Sequence, residues 1–412
     1  MFEFRSGSLH AESVPLETIA REHGTPCFVY SRAALTAALN EFQAACAGHD
    51  TLVCYAMKAN SNLAILDLYA RMGAGFDIVS GGELARVIAA GGDPGKVIFS
   101  GVGKSSAEMR RALEAGILCF NIESAAELAR LAALAGEMGL RAPVSFRVNP
   151  DVDARTHPYI STGLKETKFG IEFDAALALY REAAGMPQIE IVGIDCHIGS
   201  NLSDYAPLIE ALDKMLGLSD RLEAEGIRLR HLDLGGGLGI RYNDEIPPDT
   251  GAYLREVFAR VGKRKLKLLF EPGRGLVGNA GLLLTRVEYL KHGAARNFAV
   301  VDAAMNDLIR PSLYQAWHSI VPVRNNTGPK AVYDVVGPVC ESADFLGTGR
   351  ELAVREGDLL AVMSAGAYGM SMSSNYNSRP RAAEIMVDGA KTHLIRDRER
   401  TESLFALEHL LR

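Results

Sequence analysis

Several segments of this chain end an apolar, strand-like run with residues that could do chemistry. Lys58 closes Leu52-Val53-Cys54-Tyr55-Ala56-Met57, and His197-Ile198-Gly199-Ser200 follows the run 191–197. Gly235-Gly236-Gly237-Leu238-Gly239 follows 230–234, and Glu271-Pro272-Gly273-Arg274 follows 266–270. A lysine at the tip of a buried strand is expected to have its charged form disfavoured, which frees its amine to hold a carbonyl compound as a Schiff base. The simpler alternative is a lysine whose stem packs while its head reaches water. Consecutive glycines let backbone amides approach an anion without Cβ interference, although alone they read equally well as a turn. Glu271 is either a structural partner of Arg274 or an acceptor that keeps a ring nitrogen protonated. His197 is either a satisfied core histidine or a ring that stacks on a flat cofactor.

The elements that must position these residues show a regular alternation. Strand-like runs at 51–57, 75–79, 96–100, 117–122, 143–149, 191–197, 230–234 and 266–270 alternate with helix-like stretches such as 61–72, 81–91, 105–115, 123–138, 172–184 and 204–225. Strict alternation implies parallel strands with right-handed crossovers. The units fit a closed (β/α)8 TIM-like barrel of α/β class, whose active sites lie at the C-terminal strand ends. An open doubly wound sheet is the competitor, but it calls for a G-x-G-x-x-G turn after an early strand, which is absent. Beyond about residue 277 the short runs 282–289, 298–302, 331–336, 359–363 and 384–387 predict a second, mostly antiparallel β domain. The expected division is a barrel over 30–272 and a β domain from 1–29 plus 273–412. In the barrel order, lysine, glycine run and carboxylate all fall at C-terminal strand ends. Schiff base, phosphate cradle and carboxylate opposite a ring nitrogen together describe pyridoxal 5'-phosphate. The loop 150–170 is longer than α/β connections usually are, which marks it as functional.

Composition narrows the partners. The 412 residues carry Lys+Arg 44 against Asp+Glu 50, a net charge of -6, with no basic block, so nucleic acid is not expected as a partner. Mean hydropathy is +0.05. No apolar run approaches about 18 residues, and the N-terminus lacks a basic and then apolar leader, so no membrane association is expected. The six cysteines are scattered without a C-x-x-C pair, which gives neither zinc spacing nor a disulfide framework. No metal site is expected, Cys54, Cys119 and Cys196 read as buried hydrophobes, and the location expected is a reducing cytoplasm.

A resemblance rests on motifs spread over nearly the whole chain. These are Tyr55-Ala56-Met57-Lys58-Ala59-Asn60, Phe76-Asp77-Ile78-Val79-Ser80, His157 to Gly163, Lys168-Phe169-Gly170, His197-Ile198-Gly199-Ser200, Glu271-Pro272-Gly273-Arg274, Arg310-Pro311-Ser312-Leu313-Tyr314, Cys340-Glu341-Ser342 and Ser374-Asn375-Tyr376-Asn377. In this order they resemble the fold-type III pyridoxal-phosphate decarboxylases. The resemblance implies that Lys58 carries the cofactor, His197 stacks on its ring, and Glu271 pairs with its nitrogen. It further implies that Ser200 and the backbone of Gly235, Gly236 and Gly237 bind phosphate, with Gly273 and Arg274 beside them and Asp77 and Arg147 supporting the pocket. Arg274, Arg310 and Tyr314 resemble groups that hold substrate carboxylate, and Tyr368 resembles a tyrosine facing cofactor and substrate. Cys340 and Glu341 resemble a loop donated by the partner subunit, so a homodimer with shared sites is implied.

Two arginines suit a small amino-acid substrate that keeps a carboxylate after losing another, because Arg forks bind carboxylates bidentately. Relatives acting on ornithine read Asp-Gly after the cysteine where this chain has Glu341-Ser342. The resemblance therefore implies decarboxylation of meso-2,6-diaminopimelate to L-lysine, with Cys340 or Lys58 returning the proton. Alternatives are an ornithine or arginine decarboxylase, an amino-acid racemase, or a non-catalytic carrier of the cofactor. Trp317 and Ala343 stand beside the substrate motifs, where they could reshape a side pocket.

Overall fold

The computed structural model describes residues 1–153 and 168–411. Two compact units divide the chain, one of residues 39–240 and 246–275, the other of 1–38, 241–245 and 276–412.

The first unit is a closed parallel barrel. Among the described residues its strands are Thr51–Ala56, Gly75–Ile78, Val97–Phe99, Cys119–Ile122, Ala142–Asn149, Ile189–Asp195, His231–Asp233 and Lys267–Phe270. Each pairs in parallel with the next, and the last returns to the first through Leu268↔Thr51. That pairing excludes the open sheet, and closure leaves no strand edge exposed. Local chemistry starts many of the intervening helices. Ser80, Ser105 and Ser124 stand just before helices and accept the backbone N–H of Glu83, Glu108 and Glu127, satisfying a donor with no intrahelical partner. Cys54, Ile98, Cys119, Val192 and Leu269 pack together with no more than 4% exposure, so this part of the interior is a core rather than a pore.

The second unit is mostly antiparallel. Its sheet runs in the order Phe345–Leu352, Ala331–Val336, Asn297–Val301, Gly281–His292, Cys27–Ser31, Ala383–Asp388 and Lys391–Arg396, and Leu359–Val362 also pairs with Gly281–His292. The early strand Cys27–Ser31 is fully buried between Gly281–His292 and Ala383–Asp388. Burial on both faces explains its continuous apolar run. Leu16, Ile19, Cys27, Val29, Leu282, Leu284, Ile385 and Val387 share one core at 0% exposure. The motif His157 to Gly163 and most of the long loop lie outside the described residues. No helix among the described residues is long and apolar enough to cross a membrane.

Candidate active site

The C-terminal ends of the barrel strands carry several hydrogen-bonded polar groups. Lys58 lies just past the first strand, in the turn Met57–Ala59, and its Nζ is 3.0 Å from the Asp77 carboxylate on the second. Here the structure corrects the burial argument for Lys58. Its side chain stays 37% exposed, whereas Asp77 is fully buried. The lysine thus sits at the barrel mouth, held in place by a buried carboxylate rather than packed in an apolar pocket.

Arg147, at the end of the fifth strand, bonds Glu123 at 3.3 Å and the carbonyl of His197 at 3.4 Å, and lies over the Phe169 ring. His197 accepts at Nδ1 from the Gly236 N–H at 3.3 Å. Burial, reinforced by the cations Arg147 and Lys58, pushes its pKa well below the ordinary histidine value. The ring is therefore a neutral imidazole whose proton sits on Nε2. Such a ring can lie against a flat partner without adding a charge.

The glycine run explains itself sterically. A Cβ on Gly236 would come 2.3 Å from the carbonyl oxygen of Glu271, and one on Gly235 would come 2.6 Å from His197 Nδ1. Gly235 also adopts a left-handed φ of +61. Its N–H donates to Asp233 Oδ1 at 2.9 Å, and its carbonyl accepts from Glu271 N at 2.7 Å. Beside this cradle, Arg274 Nη2 donates to Ser200 Oγ at 3.1 Å, and Gly273 packs against Ala56 of the first strand. Arg274 thus bonds Ser200, and this bond ties two of the expected residues together.

Glu271 is 6% exposed, and its Oε1 has no hydrogen-bond partner among the described residues. With Asp195 and Asp233 it forms a buried set of carboxylates within 4.8 Å of one another. Burial first, then repulsion from Asp233, Asp77 and Asp195, raises the Glu271 pKa well above the carboxylate range. An unpartnered buried carboxylate oxygen calls for a proton or a cation. A protonated ring nitrogen meets that demand, and the glycine run, free of Cβ atoms beside Ser200, leaves a phosphate room to approach the backbone. The residues present therefore fit pyridoxal phosphate, with Lys58 as the amine that carries it.

Asp195 and Asp233 did not stand out in the sequence, although an acid ending an apolar strand is a usable signal. Burial pushes Asp233 up to about 7 from an ordinary 3.8. A folded-state pKa above the unfolded one favours folding at low pH, and that contribution disappears as pH rises through about 7. Cofactor-free protein is accordingly expected to melt at a lower temperature at pH 8 than at pH 5, and Asp233→Asn to flatten that difference. Equal pH slopes for the two proteins would show that Asp233 titrates normally.

In the other unit Arg310 begins the short helix Arg310–Tyr314 and is buried, while Tyr314 is half-buried. Cys340 is exposed and donates its N–H to Asn377 Oδ1 at 2.8 Å. The other five cysteines are buried, as Cys54, Cys119 and Cys196 were expected to be. Glu341 is exposed next to Cys340, and Tyr368 takes a left-handed φ of +56.

Comparison with known proteins places this geometry. The family model described as the pyridoxal binding domain of the pyridoxal-dependent decarboxylases matches residues 32–278. A diaminopimelate decarboxylase of Pseudomonas aeruginosa is 60% identical over 410 residues, covering 100% of this chain and 99% of its own length. The chain belongs to the diaminopimelate decarboxylases. Another member, from Vibrio cholerae, is 59% identical over 98% of this chain and 97% of its own. The crystal structure of diaminopimelate decarboxylase from Helicobacter pylori, complexed with L-lysine, superposes with a TM-score of 0.93 at 42% identity, covering 95% and 99% of the two chains. That of M. jannaschii, also with L-lysine, gives 0.95 at 37% identity over 100% and 98%. The family's fold is the barrel with an added antiparallel sheet described above.

Proposed function

We propose that the protein decarboxylates meso-2,6-diaminopimelate to L-lysine and carbon dioxide with pyridoxal phosphate bound at the barrel mouth. Membership of the family over the full chain carries this reading, and the buried Glu271 carboxylate, with its Oε1 unpartnered among the described residues, supports it. Bound pyridoxal phosphate supplies an electron-withdrawing ring that accepts the electron pair left when the Cα–carboxylate bond breaks.

The chain's own residues do the rest. Lys58 offers the anchoring amine, and Asp77 holds that amine in place. Ser200 and the Gly237 amide take the phosphate, while Gly235 and Gly236, whose N–H groups bond Asp233 and His197, shape the cradle, with Gly273 and Arg274 beside it. Glu271 holds a proton on the ring nitrogen, and neutral His197 covers one face of the ring. Arg147 fixes the backbone of His197. Arg310 and Tyr314 hold the carboxylate of the non-reacting end of the substrate, Glu341 its ammonium, and Tyr368 faces cofactor and substrate. Cys340 or Lys58 returns a proton to Cα. The Cys340-Glu341 loop serves the site of a second copy, which makes the working unit a homodimer in the cytoplasm.

Carbon dioxide release from meso-diaminopimelate, L-ornithine, L-arginine and L-lysine separates the readings. Release from diaminopimelate alone is expected, since only it carries both a reacting carboxylate and a second amino-acid head. Faster release from ornithine or arginine would reject the assigned substrate. No release from any of the four by cofactor-loaded protein would reject the assigned reaction.

A further inference from the structure

Arg310 is held by two residues that no motif brought together. Its Nη1 lies 2.8 Å from Nε2 of His318, and its guanidinium sits 4.6 Å from the centre of the Tyr242 ring. Those two rings also meet edge to face, with centroids 5.2 Å apart. Arg310 is 6% exposed and His318 0%.

Hydrogen-bond chemistry fixes the state of the histidine. Nδ1 lies 2.9 Å from the carbonyl oxygen of Met363, which can only accept, so Nδ1 carries the proton. Nε2 then presents a lone pair to Arg310, which can only donate. The Met363 N–H bonds Ser319 O at 2.8 Å, so the carbonyl that orients the ring belongs to a paired backbone segment. Tyr242 is equally fixed. Its N–H and that of Asn243 both donate to the Glu245 carboxylate, and Asn279 Nδ2 donates to the Arg241 carbonyl at 2.9 Å. Segment 241–245 belongs to the sheet unit although barrel residues flank it in the chain.

A neutral imidazole and an aromatic face orient a guanidinium without cancelling its charge. An anionic partner in either place would compete with a substrate carboxylate. We propose that His318 and Tyr242 are positioning residues that hold the Arg310 guanidinium in one orientation for the carboxylate at the non-reacting end of the substrate, and thereby set the preference for substrates that carry it. This rests on the reading of Arg310 as the group that takes that carboxylate.

The test uses the cofactor-loaded enzyme and two inhibitors. L-lysine carries the amino-acid head, whereas cadaverine has the same chain without a carboxylate. His318→Leu is expected to raise KM for meso-diaminopimelate and Ki for L-lysine at least about tenfold, the scale of a lost hydrogen bond to a charged group. Cadaverine inhibition, cofactor absorbance and kcat should change by less than about threefold, because they do not use the carboxylate. His318→Gln, which restores an acceptor toward Arg310, should recover part of the L-lysine affinity. If His318→Leu fails to fold, Tyr242→Leu removes the other support and is read in the same way.

Equal weakening of L-lysine and cadaverine would indicate general damage and overturn the proposal. Unchanged L-lysine inhibition in the folded His318 and Tyr242 variants would also overturn it, provided Arg310→Leu weakens that inhibition. Unchanged inhibition in Arg310→Leu would instead remove the underlying reading of Arg310, and the proposal with it.

Discussion

Lys58→Ala is expected to abolish the visible absorbance of the lysine-linked cofactor and to lower decarboxylation by about 10³-fold or more. The size follows from the tasks assigned to one amine, which anchors the cofactor and stands next to the position where a proton must return. The substitution also strands Asp77, which is fully buried and has its carboxylate 3.0 Å from the lysine nitrogen. Some loss of stability should therefore accompany the loss of activity. The double variant Lys58→Ala, Asp77→Asn separates the two effects. Its thermal midpoint should return toward that of the unaltered protein, while absorbance and turnover stay absent. Normal turnover in either variant would remove Lys58 from the site.

Glu271→Ala is expected to bind the cofactor through Lys58 and the glycine cradle but to turn over at least about 10²-fold more slowly, the scale of one preorganised electrostatic group. Glu271 Oε1 is buried and unpartnered among the described residues, so its place is held by the surrounding fold and needs no rearrangement when a ring nitrogen arrives. Asp195 and Asp233 lie within 4.8 Å of it, so the alanine variant keeps carboxyl groups nearby but none at the same point. Glu271→Gln keeps the shape and removes the charge, and it should be nearly as slow. A near-native kcat in both variants would show that nitrogen protonation does not depend on this carboxylate.

The barrel was legible because parallel strands and their helices each leave a local pattern. Apolar runs such as 51–57 and 266–270 end at polar residues, and Ser80, Ser105 and Ser124 mark helix starts with their own side chains. The same logic puts Lys58, His197, the glycine run and Glu271 at strand ends. The family resemblance supplied Arg310 and Cys340, which no local pattern marks.

Other features needed the fold. The strand-like run at Cys27–Ser31 could not say which sheet it joins, since its partners lie more than 250 residues away at Gly281–His292 and Ala383–Asp388. Lys58 shows how a local argument goes astray: the end of a buried strand suggested an apolar pocket, but a carboxylate nineteen residues on sets its surroundings. Asp195, Asp233 and Glu271 end three different strands, and only closure of the ring brings their carboxylates together. Tyr242 meets Arg310 across 68 residues of chain. By itself the sequence determined which elements form and which residues stand at their ends, because periodicity and capping act within a few residues. The tertiary structure decided which of those ends face one another, because strand order and burial depend on long-range pairing that leaves no local trace.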